Sequence, residues 1–286
     1  ASICRTSKTF QGQRQDIETS LSLSCTHSPN NLNVFVVKGA SDSGIVEGTE
    51  SKPHSRPYMV SLQQQEGKHH CGGALVRKDF VLTSAHCNKL GLTAVLGAHN
   101  ITKEEKSQQR IQVARYHVHP NYKDGLFGFD VMLLKLKTNS ILNKYVKPIG
   151  LPKKDKRILA NIKCSVAGWG MRLPSTAASD VLRETAVKTR FVHECQYIWP
   201  GYFNSSQIIC THSSGKKGGI CQGDSGGPLI CGRDAQGIAA YTWPGKCDDP
   251  KYPHIFMKIP SFVQWIKEMH RVSHSVSFYG WNVSCE

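Results

Sequence analysis

The sequence predicts an all-β fold, either a sandwich or a pair of barrels, that ends in one α-helix. From residue 45 onward, short apolar runs recur with turn residues between them, for example YMVSL at 58–62 and VMLLKL at 131–136. The run IQVARYHV at 111–118 alternates apolar and polar residues, as a half-exposed strand does. Many short strands followed by a single helix are typical of sandwiches and barrels.

The terminal helix is predicted from residue spacing. Ser261 precedes Gln264 by three residues, which is the arrangement of a capping box at a helix start. The apolar residues that follow share one face at helical intervals, namely Phe262, Trp265, Ile266 and Met269.

Composition divides the chain into three parts. Residues 1–33 are rich in Ser, Thr, Gln and Asn with little periodicity, so we expect residues 1–44 to be an N-terminal extension or propeptide without fixed structure. Residues 45–271 form the predicted folded domain, and residues 272–286 form a tail. No run approaches the roughly 18 apolar residues that a membrane span needs.

Eleven cysteines indicate disulfides and an oxidising compartment, so we expect a secreted or secretory-granule protein. No Cys-x2-Cys pair occurs, and neither a metal nor a cofactor is predicted. Glycosylation sequons begin at Asn100, Asn204 and Asn282.

The formal net charge of +15 indicates an acidic partner. Disulfides and the lack of a recognisable binding motif argue against nucleic acid. We expect a sulfated proteoglycan, and the alternative is that the charge only aids solubility.

Three segments carry residue types suited to nucleophilic catalysis. They place His86 in TSAHC at 83–87, Asp130 before a strand in GFDVMLL at 128–134, and Ser225 in GDSGGP at 223–228. Taken alone, each segment could have a structural role only: a structural histidine, an aspartate in a turn or a glycine-rich loop. Together they follow the order His, Asp, Ser that characterises the chymotrypsin triad.

Residues 45–271 resemble the trypsin/chymotrypsin family of serine proteases. Further motifs appear in the expected order: IVEG at 45–48, HCGGALV at 70–76, AGWG at 167–170 and FVQWI at 262–266. The segment KPHSRPYMVSL is similar to the granzyme, chymase and mast-cell-protease branch. The resemblance implies two packed six-stranded antiparallel β-barrels with a C-terminal α-helix, acting on protein substrates as a monomer.

The resemblance also implies a mechanism. Ser225 is the expected nucleophile, His86 the general base, and Asp130 the residue that holds the imidazole tautomer. The backbone N–H groups of Gly223 and Ser225 are the expected oxyanion hole. Ile45, freed by cleavage after Gly44, is expected to pair its new amine with Asp224. Gly44 is not basic, so a trypsin-like activator is not expected.

Four disulfides are implied by the same resemblance: Cys71–Cys87, Cys164–Cys231, Cys195–Cys210 and Cys221–Cys247. Cys4, Cys25 and Cys285 remain without an assigned partner, and their odd number leaves at least one thiol free or intermolecular.

The specificity pocket departs from the tryptic pattern. The resemblance implies that Gly219, six residues before Ser225, lies at the pocket floor, so no acid is expected there to attract Lys or Arg. His254 is expected in the pocket wall, where it favours an acidic or polar residue before the cleaved bond. In the alternative, His254 only narrows the pocket for small or medium apolar residues.

Ala240 is followed by Tyr241 and Thr242 in the predicted pocket region. The resemblance implies that it stands where relatives usually have a serine that supports the catalytic aspartate. Reduced activity is therefore expected. The competing function is a weak or inactive protease-like protein that binds glycans or acts in defence.

Overall fold

The computed structural model describes residues 45–46, 48–153, 158–174, 176–201, 203–213 and 218–275. Several sequence predictions lie outside these residues: the extension at 1–44 with the Gly44 side of the cleavage site, Asn282, most of the tail, and Cys4, Cys25 and Cys285. No helix in the described part of the chain is both long and apolar enough to cross a membrane.

Thirteen strands and two α-helices make up the described chain. A two-residue strand, β1, comes first, and a closed barrel of six antiparallel strands follows it. The first strand is β1 (Thr49–Glu50). The six barrel strands are β2 (Met59–Gln63), β3 (His69–Arg77), β4 (Phe80–Thr83), β5 (Thr93–Leu96), β6 (Gln109–Val118) and β7 (Met132–Leu136). The barrel order is β2-β3-β4-β7-β6-β5, and β5 pairs with β2 to close it.

A second group of six antiparallel strands follows in the sequence. They are β8 (Lys163–Gly168), β9 (Arg183–Thr189), β10 (Ile208–Ser213), β11 (Pro228–Cys231), β12 (Asp234–Tyr241) and β13 (His254–Lys258). Their order is β9-β10-β13-β12-β11-β8, and β8 pairs with β9 to close the ring. β1 adds to the outside of β9. The predicted pair of six-stranded barrels is confirmed.

The continuous apolar runs are explained by strands that are buried on both faces. In β7, Met132 and Leu134 point into the first barrel, whereas Leu133 packs between the barrels. In β13, Phe256 likewise points into the second barrel, and its neighbours Ile255 and Met257 face the inter-barrel core. Side chains alternate along a strand, so a strand between two cores has no polar face.

The predicted terminal helix is present as α2 (Val263–Ser275), which follows a 3₁₀ turn at Ile259–Phe262. Ile266 of its apolar face and Phe262 of the preceding turn pack on the inter-barrel core, and both are almost fully buried. The capping-box detail was wrong, because the Ser261 hydroxyl donates to the carbonyl of Ser206. A short helix, α1 (Val192–Ile198), was not predicted.

Candidate active site

His86 and Asp130 lie together at one end of the first barrel. β4 ends at Thr83 opposite Met132 of β7, so the turn after β4 and the segment that leads into β7 are neighbours. His86 lies in a 3₁₀ turn at Ala85–Cys87. Its Nδ1 lies 2.7 Å from Asp130 Oδ2, and its backbone N–H donates to Oδ1 at 2.9 Å. The buried carboxylate thus fixes both the backbone and the ring of His86.

Ser225 lies in a turn that is hydrogen-bonded from both sides. Its carbonyl accepts from the N–H of Gly72 in β3 at 2.8 Å, and the N–H of Gly226 donates to Ala239 in β12 at 2.7 Å. The Ala239 carbonyl also accepts from the hydroxyl of Ser84, two residues before His86. This network brings the Ser225 turn and the His86 turn to the same place.

Gly226 must be glycine for steric reasons. Its φ is +81°, and an added Cβ would lie 2.0 Å from Thr83 Oγ1 and 2.4 Å from the carbonyl oxygen of Gly72. Both neighbours belong to the first barrel, so the serine turn is in direct contact with the strands that carry His86. Any side chain at position 226 would push the two apart.

Two N–H groups at this turn remain available to a ligand. Within the described residues, no protein group accepts a hydrogen bond from the N–H of Gly223 or of Ser225. The carbonyl of Gly223 accepts instead from His69 Nε2 at 2.9 Å, and Gly223 has a φ of +94°. A φ in this range favours glycine and holds the peptide in this orientation.

His69 is a site residue that sequence reasoning missed. Its Nε2 donates to Gly223, and Ser61 Oγ lies 2.8 Å from its Nδ1. Burial lowers the pKa of His69 to about 4, so the ring is neutral at physiological pH. The only available signal was the pair of histidines before the CGG segment, and the sequence does not show which of the two, His69 or His70, belongs to the site.

Asp224, beside Ser225, is fully buried. Its carboxylate accepts from the N–H of Gly170 at 2.8 Å and of Cys221 at 2.9 Å. A Cβ on Gly168 or Gly170 would lie within 2.5 Å of this carboxylate, so the AGWG motif provides the space that Asp224 occupies. No cationic group among the described residues contacts it, and burial raises the pKa of Asp224 to about 7.

Ile45 reaches the same region, although its nitrogen is peptide-bonded to Gly44 in this chain. Its side chain is completely buried in a cluster that includes Ile220, next to Cys221. Val46 pairs with Gly219 through a backbone hydrogen bond of 3.0 Å. Ile45 therefore lies against the segment that leads to Asp224.

A pocket of about 260 Å³ opens beside Ser225. Its walls contain no charged side chain among the described residues. They are formed by Pro174, Ile220, Cys221, Gln222, Ala240, Tyr241, Thr242, Pro244, Gly245 and Cys247. Ala240 and Thr242 thus occupy the pocket wall, whereas Gly219 and His254 are not among the described lining residues.

His254 lies beneath Gly219. A Cβ on Gly219 would lie 2.0 Å from the His254 ring, so only glycine fits above it. The ring is 4% exposed, and its Nε2 donates to the Cys247 carbonyl at 2.9 Å. Its buried Nδ1 has no partner, and burial lowers the pKa of His254. At neutral pH the ring is therefore uncharged.

Ala240 offers Asp130 no hydroxyl. Among the described residues, the two hydrogen bonds to the Asp130 carboxylate both come from His86.

The four predicted disulfide pairs are present: Cys71–Cys87, Cys164–Cys231, Cys195–Cys210 and Cys221–Cys247. Cys71–Cys87 ties β3 to the His86 turn, and Cys221–Cys247 joins two walls of the pocket. The Cys71 and Cys87 sulfurs are bonded to each other, so this cluster with His86 is not a metal site. Of the sequons, Asn204 is exposed and Asn100 is half-buried.

Comparison with known proteins agrees with this geometry. A family model described as Trypsin matches residues 45–266. The chain is 40% identical to granzyme B of Rattus norvegicus over 80% of this chain and 92% of the relative. It is 41% identical to mast cell protease 3 of Ovis aries over 84% of this chain and 95% of that relative. The solved structure of neuropsin, a serine protease of mouse brain, matches with a TM-score of 0.74 and 33% sequence identity. The match covers 79% of this chain and 100% of the neuropsin chain.

We predict a pH effect from Asp224 in the uncleaved chain. Its pKa is about 7 when folded and about 4 when unfolded, so the folded state holds an extra proton between these values. The protonated carboxyl therefore stabilises the folded state fully below about pH 4. As pH rises from about 4 to about 7, the free energy of unfolding should fall by roughly 2–4 kcal/mol. Urea unfolding from pH 4 to 8 should show this decline in the wild type and a weaker one in Asp224→Asn. Parallel curves would contradict the assignment.

Proposed function

The chain belongs to the trypsin family of serine proteases, in the granzyme and mast-cell-protease branch, and we propose that it hydrolyses peptide bonds through Ser225, His86 and Asp130. The observation that supports this most is the Ser225 turn, which is bonded to β3 and β12 and packed against the His86 segment. All three residues that this chemistry needs come from one chain, so we infer that a monomer is active.

The hydrogen bonds support a definite division of roles. His86 Nδ1 donates to Asp130, which leaves the lone pair of Nε2 for the Ser225 proton. Ser225 Oγ attacks the substrate carbonyl carbon as its proton passes to Nε2. The C–N bond then breaks, and the same proton passes to the leaving amine. A water molecule then attacks the carbonyl carbon of the acyl-enzyme in the same way, with His86 as the base, and the bond to Ser225 breaks.

The free N–H groups of Gly223 and Ser225 stabilise the negative charge that develops on the substrate carbonyl oxygen. As the carbonyl carbon becomes tetrahedral, its oxygen becomes negative and accepts from Gly223 and Ser225. His69 contributes by holding the Gly223 carbonyl in the opposite direction.

Activation depends on the charge of Asp224. A buried carboxylate without a cation is costly, and cleavage after Gly44 would create an ammonium group on Ile45. We infer that this ammonium pairs with Asp224 and keeps the adjoining turn in place. The burial of Ile45 beside Ile220 supports this.

The pocket supports non-tryptic specificity. Its described lining is uncharged, and a neutral His254 below Gly219 already uses its N–H on Cys247. This favours the apolar alternative at neutral pH, with small or medium apolar residues before the cleaved bond. Acidic residues become acceptable only when His254 is protonated.

A basic surface supports the proteoglycan proposal. The aromatic ring of Phe80 lies 4.5 Å from the Arg77 guanidinium and 5.3 Å from Lys135 Nζ. Asp79 is bound by both cations. Further exposed cations lie on the same hairpin, on neighbouring strands and at the end of α2: Lys78, Arg115, Lys137 and Arg271. We infer that this surface, which covers the buried ring of Phe80 and is here called the Phe80 surface, binds sulfated polysaccharide.

Secretion is inferred from four disulfides, which need an oxidising compartment, and from the exposed sequon at Asn204.

Ser225→Ala should lower kcat/KM of the Ile45-terminated enzyme by roughly 10⁵-fold, because the nucleophile is lost. Hydrolysis of a chromogenic anilide measures this. Ser55→Ala, an exposed serine before β2, is the matched control. Equal activity of Ser225→Ala and Ser55→Ala would exclude Ser225 as the nucleophile, whereas a wild type and a Ser55→Ala variant that both lack activity would favour the binding-protein alternative.

A positional-scanning peptide library should show preferred cleavage after uncharged residues at pH 7.5. Cleavage after Asp or Glu should be weak wherever the His254 ring is neutral and should rise only below the ordinary pKa of histidine, since burial lowers the pKa of His254. Efficient cleavage after Asp at pH 8 would contradict this arrangement.

The double variant Lys78→Glu with Arg115→Glu should elute from immobilised heparin at lower salt than the wild type, because exposed charges are screened by salt. Lys163→Glu together with Lys188→Glu, a cross-strand pair on the second barrel, is the control of equal charge. Similar elution of both double variants would indicate that the total charge, and not the Phe80 surface, governs retention.

A further inference from the structure

The Ser225 turn separates two sides of the cleft. On one side is β12, whose residues Ala240 and Tyr241 form the pocket wall together with Thr242. On the other side is β3, whose Gly72 donates to the Ser225 carbonyl. The acyl half of a substrate occupies the pocket on the β12 side. The leaving amine and the residues after it therefore pass on the β3 side.

His70 lies on this leaving-group side. It is half-buried at the start of β3, and Gln64 Nε2 donates to its Nδ1 at 3.1 Å. The backbone of Cys87, which directly follows His86, acts on the same ring and raises the pKa of His70 against the larger lowering by burial. The Cys71–Cys87 disulfide joins the residues next to the two histidines. His70 is thereby held beside the His86 turn.

A loop at 88–91 forms a second wall. All four of its residues are exposed, and Leu90 is 86% exposed. A Cβ on Gly91 would lie 3.9 Å from Gln65 Nε2, so this loop faces the turn at Gln65–Gly67. The leaving-group groove, as we call it, lies between these walls and is formed by Gln64, Gln65, His70, Lys89 and Leu90.

The charge of this groove is positive. Burial is the main cause that lowers the pKa of His70, and the positive charge of Lys89 lowers it further. The Lys89 ammonium therefore acts on the His70 ring. The acid of the neighbouring turn, Glu66, lines a separate cavity with Lys103 and Arg110. Lys68, on the same turn, is also an exposed cation, and among the five groove residues Lys89 is the one that carries a charge at neutral pH.

We propose that the leaving-group groove selects an acidic side chain within the first two residues after the cleaved bond, and that Lys89 determines this preference. The proposal rests on the proposed function. Two extended residues span about 7 Å, which limits the effect to positions near the cleaved bond. The exposed Leu90 side chain supplies an apolar contact for the stem of the acidic residue.

The test uses internally quenched peptides that share one sequence before the cleaved bond and carry Asp or Asn at the second position after it. For the wild-type enzyme, kcat/KM should be about three- to fivefold higher for the Asp peptide, the range of one exposed charge pair. Lys89→Gln should bring the ratio near one. Lys89→Arg should preserve it, as should the control Lys163→Gln, which changes an exposed lysine of β8.

The ratio should also decrease from about 0.05 to 0.5 M salt, because exposed charges are screened. A wild-type ratio of one or less, or a ratio that Lys89→Gln leaves unchanged, would overturn the proposal. Cleavage of a chromogenic anilide but of neither peptide would also overturn it. If the wild type cleaves neither the anilide nor the peptides, the proposed function itself fails.

Discussion

The candidate active site depends on one constraint, the hydrogen bonding of the Ser225–Gly226 turn from both sides. The Ser225 carbonyl is bonded to β3 and the Gly226 N–H to β12, while Gly226 contacts Thr83 with no room for a Cβ. The turn cannot shift toward one barrel without breaking a buried hydrogen bond to the other. Since an unmade buried hydrogen bond costs roughly 1–3 kcal/mol, the two barrels position the serine jointly.

Other features of the site follow from this constraint. The Ala239 carbonyl that accepts from Gly226 also accepts from Ser84, which fixes the start of the His86 turn. Asp130 then fixes the ring of His86 from the neighbouring strand. On the other side of Ser225, Asp224 occupies the space left by Gly168 and Gly170. A change in the state of Asp224 is therefore transmitted to the serine turn through one peptide unit.

The sequence predicted the parts of this structure that repeat in a pattern. Apolar periodicity located the strand at 131–136 and the terminal helix, because burial of one face or both leaves a regular signal. The three short motifs located His86, Asp130 and Ser225, and the family resemblance supplied the two barrels and the four disulfide pairs. Spatial relations between distant residues left no such signal. Nothing in the sequence places the His69 ring on the Gly223 carbonyl, or the His254 ring beneath Gly219. The Ser261 hydroxyl bonds to a distant carbonyl for the same reason, since tertiary contacts override a local capping pattern.

The most direct test of the central claim is the site and rate of labelling by a fluorophosphonate, mapped by mass spectrometry. We predict that only Ser225 is labelled, that labelling is fast once Ile45 is the N-terminal residue, and that it is much slower in the chain with residues 44 and 45 still joined. His86→Ala should abolish it, because the base that activates the hydroxyl is lost. Labelling at another residue, or equal rates before and after cleavage at Ile45, would contradict the account.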